Sequence, residues 1–183
     1  MYDGSFDFFC DELKQNAHVL ELACGPGNIT NYLLNKRPDL KVFGTDLAPN
    51  MIELAKQNNP KAEFKVIDCR DIISLNKNYN AIMCGFCLPY LSMEETKKLI
   101  SDCSVMLNEG GIIYISTMED DYTNSGIRKG SRGDEIYMHY YLESDLVPVL
   151  VKNNFKIKTI QRVKSEMTDG AAVTDLIIIS QKI

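Results

Sequence analysis

The 183-residue sequence lacks long apolar runs and a basic N-terminus. No run approaches the roughly 18 apolar residues that a membrane span needs. The first fifteen residues contain four acidic side chains and one lysine, which is the opposite of the basic start of a signal or transit peptide. We therefore expect a cytoplasmic protein without a membrane partner.

Cysteine and histidine lack the spacing of a disulfide scaffold or a metal site. The six cysteines are scattered through segments with core-like patterns, so we expect reduced thiols. Cys84 and Cys87 form one Cys-x-x-Cys pair, but a structural zinc ion needs four ligands. The only two histidines, His18 and His139, show no matching spacing. We therefore expect no metal.

Basic residues are fewer than acidic ones, 20 against 25, which gives a net charge of -5. A chain with this balance is repelled by phosphate backbones, so we expect no nucleic-acid partner. The sequence also has no internal repeat and no Pro/Ser-rich linker. Residues 1–183 are therefore predicted to form a single domain.

Short apolar blocks alternate with stretches of helical periodicity, which predicts an α/β fold. The predicted helices are 28–36, 49–58, a brief 71–75, 93–108 and 143–154. The predicted strands are 18–23, 40–45, 62–67, 79–84 and 111–117, followed by 155–163 and 172–181. Because Asp169-Gly170 is a hairpin signal, the last two should pair antiparallel. We expect a Rossmann-like, doubly wound, mostly parallel sheet of seven strands that ends in this hairpin.

A polar, glycine-containing stretch, Met118 to Glu135, interrupts the alternation after the fifth strand. It is too long and irregular for a simple connector, so residues 118–141 are predicted to form a lid or substrate loop. The charges between Met118 and Glu135 are mixed, with three basic and five acidic residues. Such a segment does not attract anions strongly.

Unusual residues follow the predicted strands, where an open parallel sheet forms its ligand crevice. Gly25 and Gly27 follow the first strand and let the backbone approach a ligand closely. Asp46 comes nineteen residues after Gly27, which is the spacing of a carboxylate that binds ribose hydroxyls. Taken alone, the glycines also fit a tight turn, and both Asp46 and Asp68 fit a helix cap or turn.

Four sequence motifs resemble those of the class I S-adenosylmethionine-dependent methyltransferases. They are the runs 19–28, 44–51, 66–69 and 107–111. The resemblance implies a domain that binds S-adenosylmethionine and releases S-adenosylhomocysteine. It places the glycine loop beneath the methionine part of the cofactor, a role that falls to Glu21, Cys24, Gly25 and Gly27.

The same resemblance assigns the rest of the cofactor site. Asp46 would hold the ribose, and Leu47 and Met51 would pack on the ribose and adenine. Asp68 with Cys69 would meet the adenine amino group, and Cys84 with Gly85 would lie against the cofactor.

The sequence departs from this family in two places. Only about seventeen residues precede the first strand, so part of an N-terminal cap is expected to be absent. The run Cys87-Leu88-Pro89-Tyr90 lies where amino-group methyltransferases carry Asn/Asp-Pro-Pro-Tyr. Cys87 cannot accept the amino hydrogen bonds that Asn or Asp would accept. We expect the other three residues to shape the pocket wall.

Residues that could contact a methyl acceptor are few. His139 is a candidate general base and Tyr90 a second catalytic candidate, while Tyr90, Arg128 and Tyr141 are candidate substrate contacts. Each also has a structural interpretation, because an alternating segment such as 136–141 often packs or faces solvent.

The sequence therefore predicts a methyltransferase that acts on a small molecule, with the acceptor atom left open. A nicotinamide-dependent oxidoreductase is the first alternative, although Thr30 stands where its fingerprint has a third glycine. A non-catalytic cofactor-binding module is the second. The choice between monomer and homodimer also stays open.

Overall fold

A computed structural model describes residues 2–129, 135–166 and 172–183. Seven strands form one sheet in the order β3-β2-β1-β4-β5-β9-β8, and β6 pairs with β7 separately. The strands of the large sheet are β1 (His18–Leu22), β2 (Lys41–Asp46), β3 (Glu63–Val66), β4 (Tyr79–Gly85), β5 (Leu107–Met118), β8 (Phe155–Glu166) and β9 (Ala172–Lys182). The small pair is β6 (Gly126–Lys129) and β7 (Glu135–Met138).

The first five strands of the large sheet are parallel, and β9 enters antiparallel between β5 and β8. From β1 the chain moves outward through β2 to β3, then returns to place β4 on the other side of β1. The strand order therefore reverses between β1 and β4, where an open sheet forms its crevice. This confirms the predicted doubly wound fold.

Helices cover both faces of the sheet. They are α1 (Asp3–Asp11), α2 (Asn28–Lys36), α3 (Pro49–Asn58), α4 (Met93–Met106) and α5 (Glu143–Lys152). Apolar residues of α1 and α2 pack in one core cluster, while those of α4 and α5 pack in another. None of the helices in the described ranges is long and apolar enough to cross a membrane.

The N-terminal helix α1 was missed in the sequence analysis. It buries Phe6, Phe9 and Cys10 against the sheet, and Leu13 just after it is also buried. These positions follow the i, i+3, i+4, i+7 pattern of an amphipathic helix. The pattern was therefore present, although the acidic residues between these positions obscured it.

Helix punctuation confirms several predicted boundaries and corrects others. A capping box formed by Ser92 and Glu95 begins α4 at the predicted residue, and Pro49 occupies the first turn of α3, which also begins as predicted. However, α4 ends at Met106 and β5 begins at Leu107, so the glycines at 110–111 lie inside a strand. The predicted helix 71–75 is a longer 3-10 segment, Cys69–Leu75.

The described part of the segment 118–141 is more regular than predicted. It contains a 3-10 turn, Tyr122–Asn124, and the antiparallel pair β6–β7, in which Ile127 faces Tyr137 across the ladder. Backbone pairing therefore replaces much of the expected irregular loop. The predicted turn at Asp169-Gly170 lies outside the described residues, whereas the pairing of β8 with β9 is confirmed.

The two edges of the large sheet carry charged side chains. The short strand β3 ends one side with Glu63 and Lys65 exposed. The long strand β8 ends the other side, where Lys158 pairs with Glu12 and Arg162 pairs with Glu119 and Glu143. Charged edge strands are a common protection against pairing with another chain.

Tyr141 is part of the core rather than the surface of the lid. Its side chain is fully buried, its hydroxyl donates to the carbonyl oxygen of Leu91, and Thr96 Oγ1 donates to it at 3.0 Å. A soluble acceptor cannot reach this side chain, so we do not include it in the acceptor site.

We predict that Tyr141→Phe lowers the free energy of unfolding by about 1–3 kcal/mol, because two buried polar groups lose their partner. Urea denaturation measures this change. Tyr137→Phe, at a position with 53% exposure, is the matched control and should change stability little. Equal effects of the two variants would contradict the structural role of Tyr141.

Candidate functional site

The loop after β1 forms an open cradle at the point of strand reversal. Gly25 and Gly27 both have left-handed backbones, with φ of 53° and 80°. A Cβ added at Gly25 would meet no atom within 4 Å, so open space lies directly beside this backbone. Gly27 then precedes α2, whose first N–H groups point toward the cradle end of the helix. This arrangement suits a ligand with an anionic group.

Asp46 at the end of β2 connects this cradle to the next loop. Its Oδ2 accepts a hydrogen bond from the N–H of Gly25 at 2.8 Å, and its Oδ1 accepts one from the N–H of Ala48 at 2.9 Å. Each carboxylate oxygen has two lone pairs, so one on each oxygen is left for a ligand. Two adjacent hydroxyl groups match this pattern.

Glu21 lies beneath the cradle and is 1% exposed. Its Oε2 accepts a hydrogen bond from Thr30 Oγ1, whereas Oε1 has no partner among the described residues. Burial raises the pKa of Glu21 to about 8, although the bond from Thr30 opposes this shift. An unpartnered buried carboxylate oxygen is costly unless a ligand supplies a donor or positive charge.

Asp68 after β3 is engaged by an arginine. Arg70 donates to it through its backbone N–H at 2.9 Å and its guanidinium, with Nη2 at 2.6 Å from Oδ2. These bonds lower the pKa of Asp68. Arg70 also bonds Glu95 at 3.2 Å. The expected contact of Asp68 with an adenine amino group thus competes with the Arg70 guanidinium.

The other cofactor candidates divide between surface and core. Leu47 follows Asp46 directly and is 61% exposed, and Met51 is half-buried in the first turn of α3. Both side chains can contact a ligand. Cys24 and Cys84 are buried and contribute mainly packing. Cys69 is half-buried, and its pKa is raised by the contact with the Cys87 thiol and by burial.

Two residues at the ends of neighbouring strands have strained backbones. Ala23 after β1 and Phe86 after β4 have φ of 51° and 53°, and the remaining described non-glycine residues with positive φ are asparagines. Such conformations concentrate at functional sites. The Phe86 N–H donates to Ser116 Oγ at 3.1 Å, which holds the strained turn in place. The sequence contained no signal for this strain.

The described part of the segment 118–141 contacts the loop that follows β4. The N–H of His139 donates to the carbonyl of Pro89 at 2.8 Å, and its ring stacks on Tyr122 with centroids 5.7 Å apart. The ring of Tyr137 also packs against it in a tilted arrangement, with centroids 4.8 Å apart. Within the described residues, Nδ1 of His139 is buried without a partner. Desolvation lowers its pKa, so the ring is neutral at pH 7.

The remaining acceptor candidates differ in position. Tyr90 is 58% exposed in the same loop, whereas Leu88 and Pro89 before it are buried. Arg128 lies in β6, and its Nε donates to the Tyr140 hydroxyl at 3.1 Å. Among the residues that the structure describes, no group of three or more His, Cys, Asp or Glu side chains could hold a metal ion.

Comparison with known proteins identifies the family. The sequence model of the family described as methyltransferase domain matches residues 19–111, just over half of the chain. The chain belongs to this family of methyltransferase domains.

Individual relatives share the domain but differ in their acceptors. Trans-aconitate 2-methyltransferase from Variovorax paradoxus is 32% identical over 56% of this chain and 39% of its own length. The tRNA N(3)-methylcytidine methyltransferase trm140 of Schizosaccharomyces pombe is 29% identical over 83% of this chain and 56% of its own length. The chain thus spans only about two fifths to three fifths of these curated relatives.

A solved structure of a SAM-dependent methyltransferase from Methanosarcina mazei superimposes with a TM-score of 0.83. It is 20% identical, and the match covers 96% of this chain and 97% of that one. This similarity supports the fold.

The cradle fits S-adenosylmethionine on the evidence of its own atoms. The unpartnered Oε1 of Glu21 can accept an ammonium group, the open face of Gly25 leaves room for the methionine chain, and Asp46 can accept two ribose hydroxyl bonds. When bound, this cofactor supplies an electrophilic methyl group on a sulfonium.

We predict that Glu21→Gln changes how stability depends on pH. In the wild type, the folded chain keeps a proton on Glu21 up to about pH 8, whereas the unfolded chain releases it near its ordinary value of 4.5. The free energy of unfolding should therefore fall by a few kcal/mol as the pH rises through this window.

Urea denaturation at several pH values tests this prediction without cofactor. Glu21→Gln should be flatter than the wild type, and Glu53→Gln, at an exposed position, should keep the wild-type slope. A wild-type slope in Glu21→Gln would show that the buried carboxyl does not titrate as expected.

We also predict that His139 titrates below the ordinary histidine value of 6.5, because burial disfavours its charged form. Ring-proton NMR across the acid range measures this pKa, and the resonance missing from His139→Asn assigns it. A midpoint at or above 6.5 would contradict the burial of Nδ1.

Proposed function

We propose that this protein transfers a methyl group from S-adenosylmethionine to a small-molecule acceptor. The observation that carries the proposal is the Asp46 carboxylate, which two backbone N–H groups hold beside an open glycine cradle. The family membership supports the same reaction.

In this proposal, the chain contacts every part of the cofactor. Glu21 accepts the ammonium group, the backbone of Gly25 and Gly27 lies against the methionine part, and Asp46 holds the ribose. Leu47 and Met51 cover the apolar faces of the ribose and adenine. The side chains of Asp68 and Cys69 lie beside the adenine. Gly85 lies beneath the methyl group that is transferred, at what we call the transfer position.

Methyl transfer from a sulfonium is an in-line displacement, so alignment and exclusion of water are the main tasks of the protein. Residues 135–141 and the turn at Tyr122 perform the second task in this proposal, because His139 contacts Pro89 and Tyr122 contacts Met93 in the stretch that follows β4. His139 is neutral and can accept a proton from the acceptor as it is methylated. Tyr90 lies beside it and contacts the acceptor.

The charge around the site favours a small molecule over a nucleic acid. Arg70 is paired with Asp68 and Glu95, and Arg162 is paired with Glu119 and Glu143. These guanidinium groups are therefore not available to a phosphate backbone. A tRNA acceptor is the second candidate, because one relative is named as a tRNA methyltransferase. A cytoplasmic location remains a prediction.

The experiment is calorimetric titration with S-adenosylhomocysteine, with NAD as a parallel ligand. We expect micromolar binding of S-adenosylhomocysteine and no binding of NAD. Asp46→Ala should weaken the binding by about 100-fold or more, because it removes two charged hydrogen bonds to the ribose and leaves the Gly25 N–H unpaired.

Asp11→Ala is the matched control, since Asp11 is an exposed aspartate at the far end of α1. It should bind S-adenosylhomocysteine as the wild type does. Tighter binding of NAD would instead support the oxidoreductase alternative. Cofactor binding without transfer to any acceptor, including tRNA, would support the non-catalytic module.

A further inference from the structure

A second buried carboxylate lies on the side of the transfer position that is away from Glu21, because β9 is two strands beyond β4 in the sheet. Asp175 in β9 is 4% exposed and lies opposite Met118 at the end of β5. Alternation along the paired strands places it on the same sheet face as Glu21, Gly85 and Ser116. Strand spacing puts Gly85 about 8 Å from Glu21 and about 12 Å from Asp175 along this face.

Asp175 has one donor and no cationic partner among the described residues. The hydroxyl of Tyr2 donates to its Oδ2 at 2.6 Å, and no described residue donates to its Oδ1. The ring of Tyr2 packs edge-on against Phe86, with centroids 5.4 Å apart. The corner formed by Tyr2, Phe86 and Asp175 is therefore aromatic and anionic, and it borders the strained turn after β4.

The position of this charge discriminates between acceptor classes. Transfer to an uncharged nitrogen moves a positive charge from the sulfonium to the acceptor, and hence toward Asp175. A carboxylate fixed on that side stabilises the charge as it develops. Transfer to a carboxylate or alkoxide cancels the two charges, and an anionic acceptor would be repelled by Asp175.

We propose that Asp175 binds the acceptor nitrogen and that the acceptor is a small amine with an apolar or aromatic group. This inference rests on the proposed methyl transfer. The acceptor binds as an ammonium ion and first loses a proton to His139 or water. The freed nitrogen lone pair then forms the new N–C bond while the S–C bond breaks and its electrons stay on sulfur, and the methylated product leaves as an ammonium ion. The rings of Tyr2 and Phe86 contact the apolar group and the developing cation.

The test uses three probes of similar size, benzylamine, benzoate and benzyl alcohol, added to protein saturated with S-adenosylhomocysteine. Chemical-shift changes in ¹H–¹⁵N NMR spectra report binding. We expect benzylamine to bind and benzoate not to bind. With S-adenosylmethionine instead, mass spectrometry should detect N-methylbenzylamine.

Two variants distinguish a role of Asp175 in acceptor binding from a purely structural role of its hydrogen bond with Tyr2. Asp175→Asn keeps the shape but removes the charge, and it should weaken benzylamine binding at least tenfold. Tyr2→Phe keeps the ring and the carboxylate but removes the hydroxyl bond to Asp175, so it should lower the melting temperature while weakening benzylamine binding much less than Asp175→Asn does. Asp120→Asn, at an exposed aspartate of the lid segment, controls for a general charge effect.

The possible outcomes separate this inference from the proposed function. Loss of S-adenosylhomocysteine binding in the wild type would refute both. Normal S-adenosylhomocysteine binding without benzylamine binding, or with equal binding of benzoate, would overturn only the amine site. Equal effects of Asp175→Asn and Tyr2→Phe on melting temperature and benzylamine binding would assign the pair a purely structural role. If Asp175→Asn does not fold, the preference of the wild type and of Tyr2→Phe for benzylamine over benzoate still tests the amine site.

Discussion

The hydrogen bond from the Gly25 N–H to Asp46 is the contact on which the crevice depends. It joins the loop after β1 to the end of β2 and holds the glycine turn open. The second bond, from Ala48, fixes the carboxylate against rotation. Because both donors belong to the backbone, the carboxylate is oriented before any ligand arrives. Little ordering is then left to be done when a ligand binds.

The position of the proposed cofactor site could be predicted from the sequence because its determinants are local. The glycines, Asp46 and Asp68 follow strands whose apolar patterns are clear, and the parallel order brings these strand ends together. The Arg70 partner of Asp68 was not predicted, although it lies only two residues away. Spacing identifies a candidate ligand group but does not show which neighbour already occupies it.

The proposed acceptor side could not be predicted, because its contacts join distant parts of the chain. Tyr2 and Asp175 are 173 residues apart, and no pattern near either residue indicates the other. The positive φ of Phe86 results from tertiary contacts with Ser116 rather than from a local turn motif. The pairing of β6 with β7 was missed for a related reason, since the alternation at 136–141 does not indicate its partner strand, which has only four residues.

The charged edge strands have a consequence for assembly. A copy of the chain that extended the sheet beside β8 would have to separate Lys158 from Glu12 and Arg162 from its two carboxylates. On the opposite border, β3 offers only four residues for pairing. Extension of the large sheet by a second copy is therefore disfavoured at both borders, and sheet pairing would not bring another chain beside the crevice.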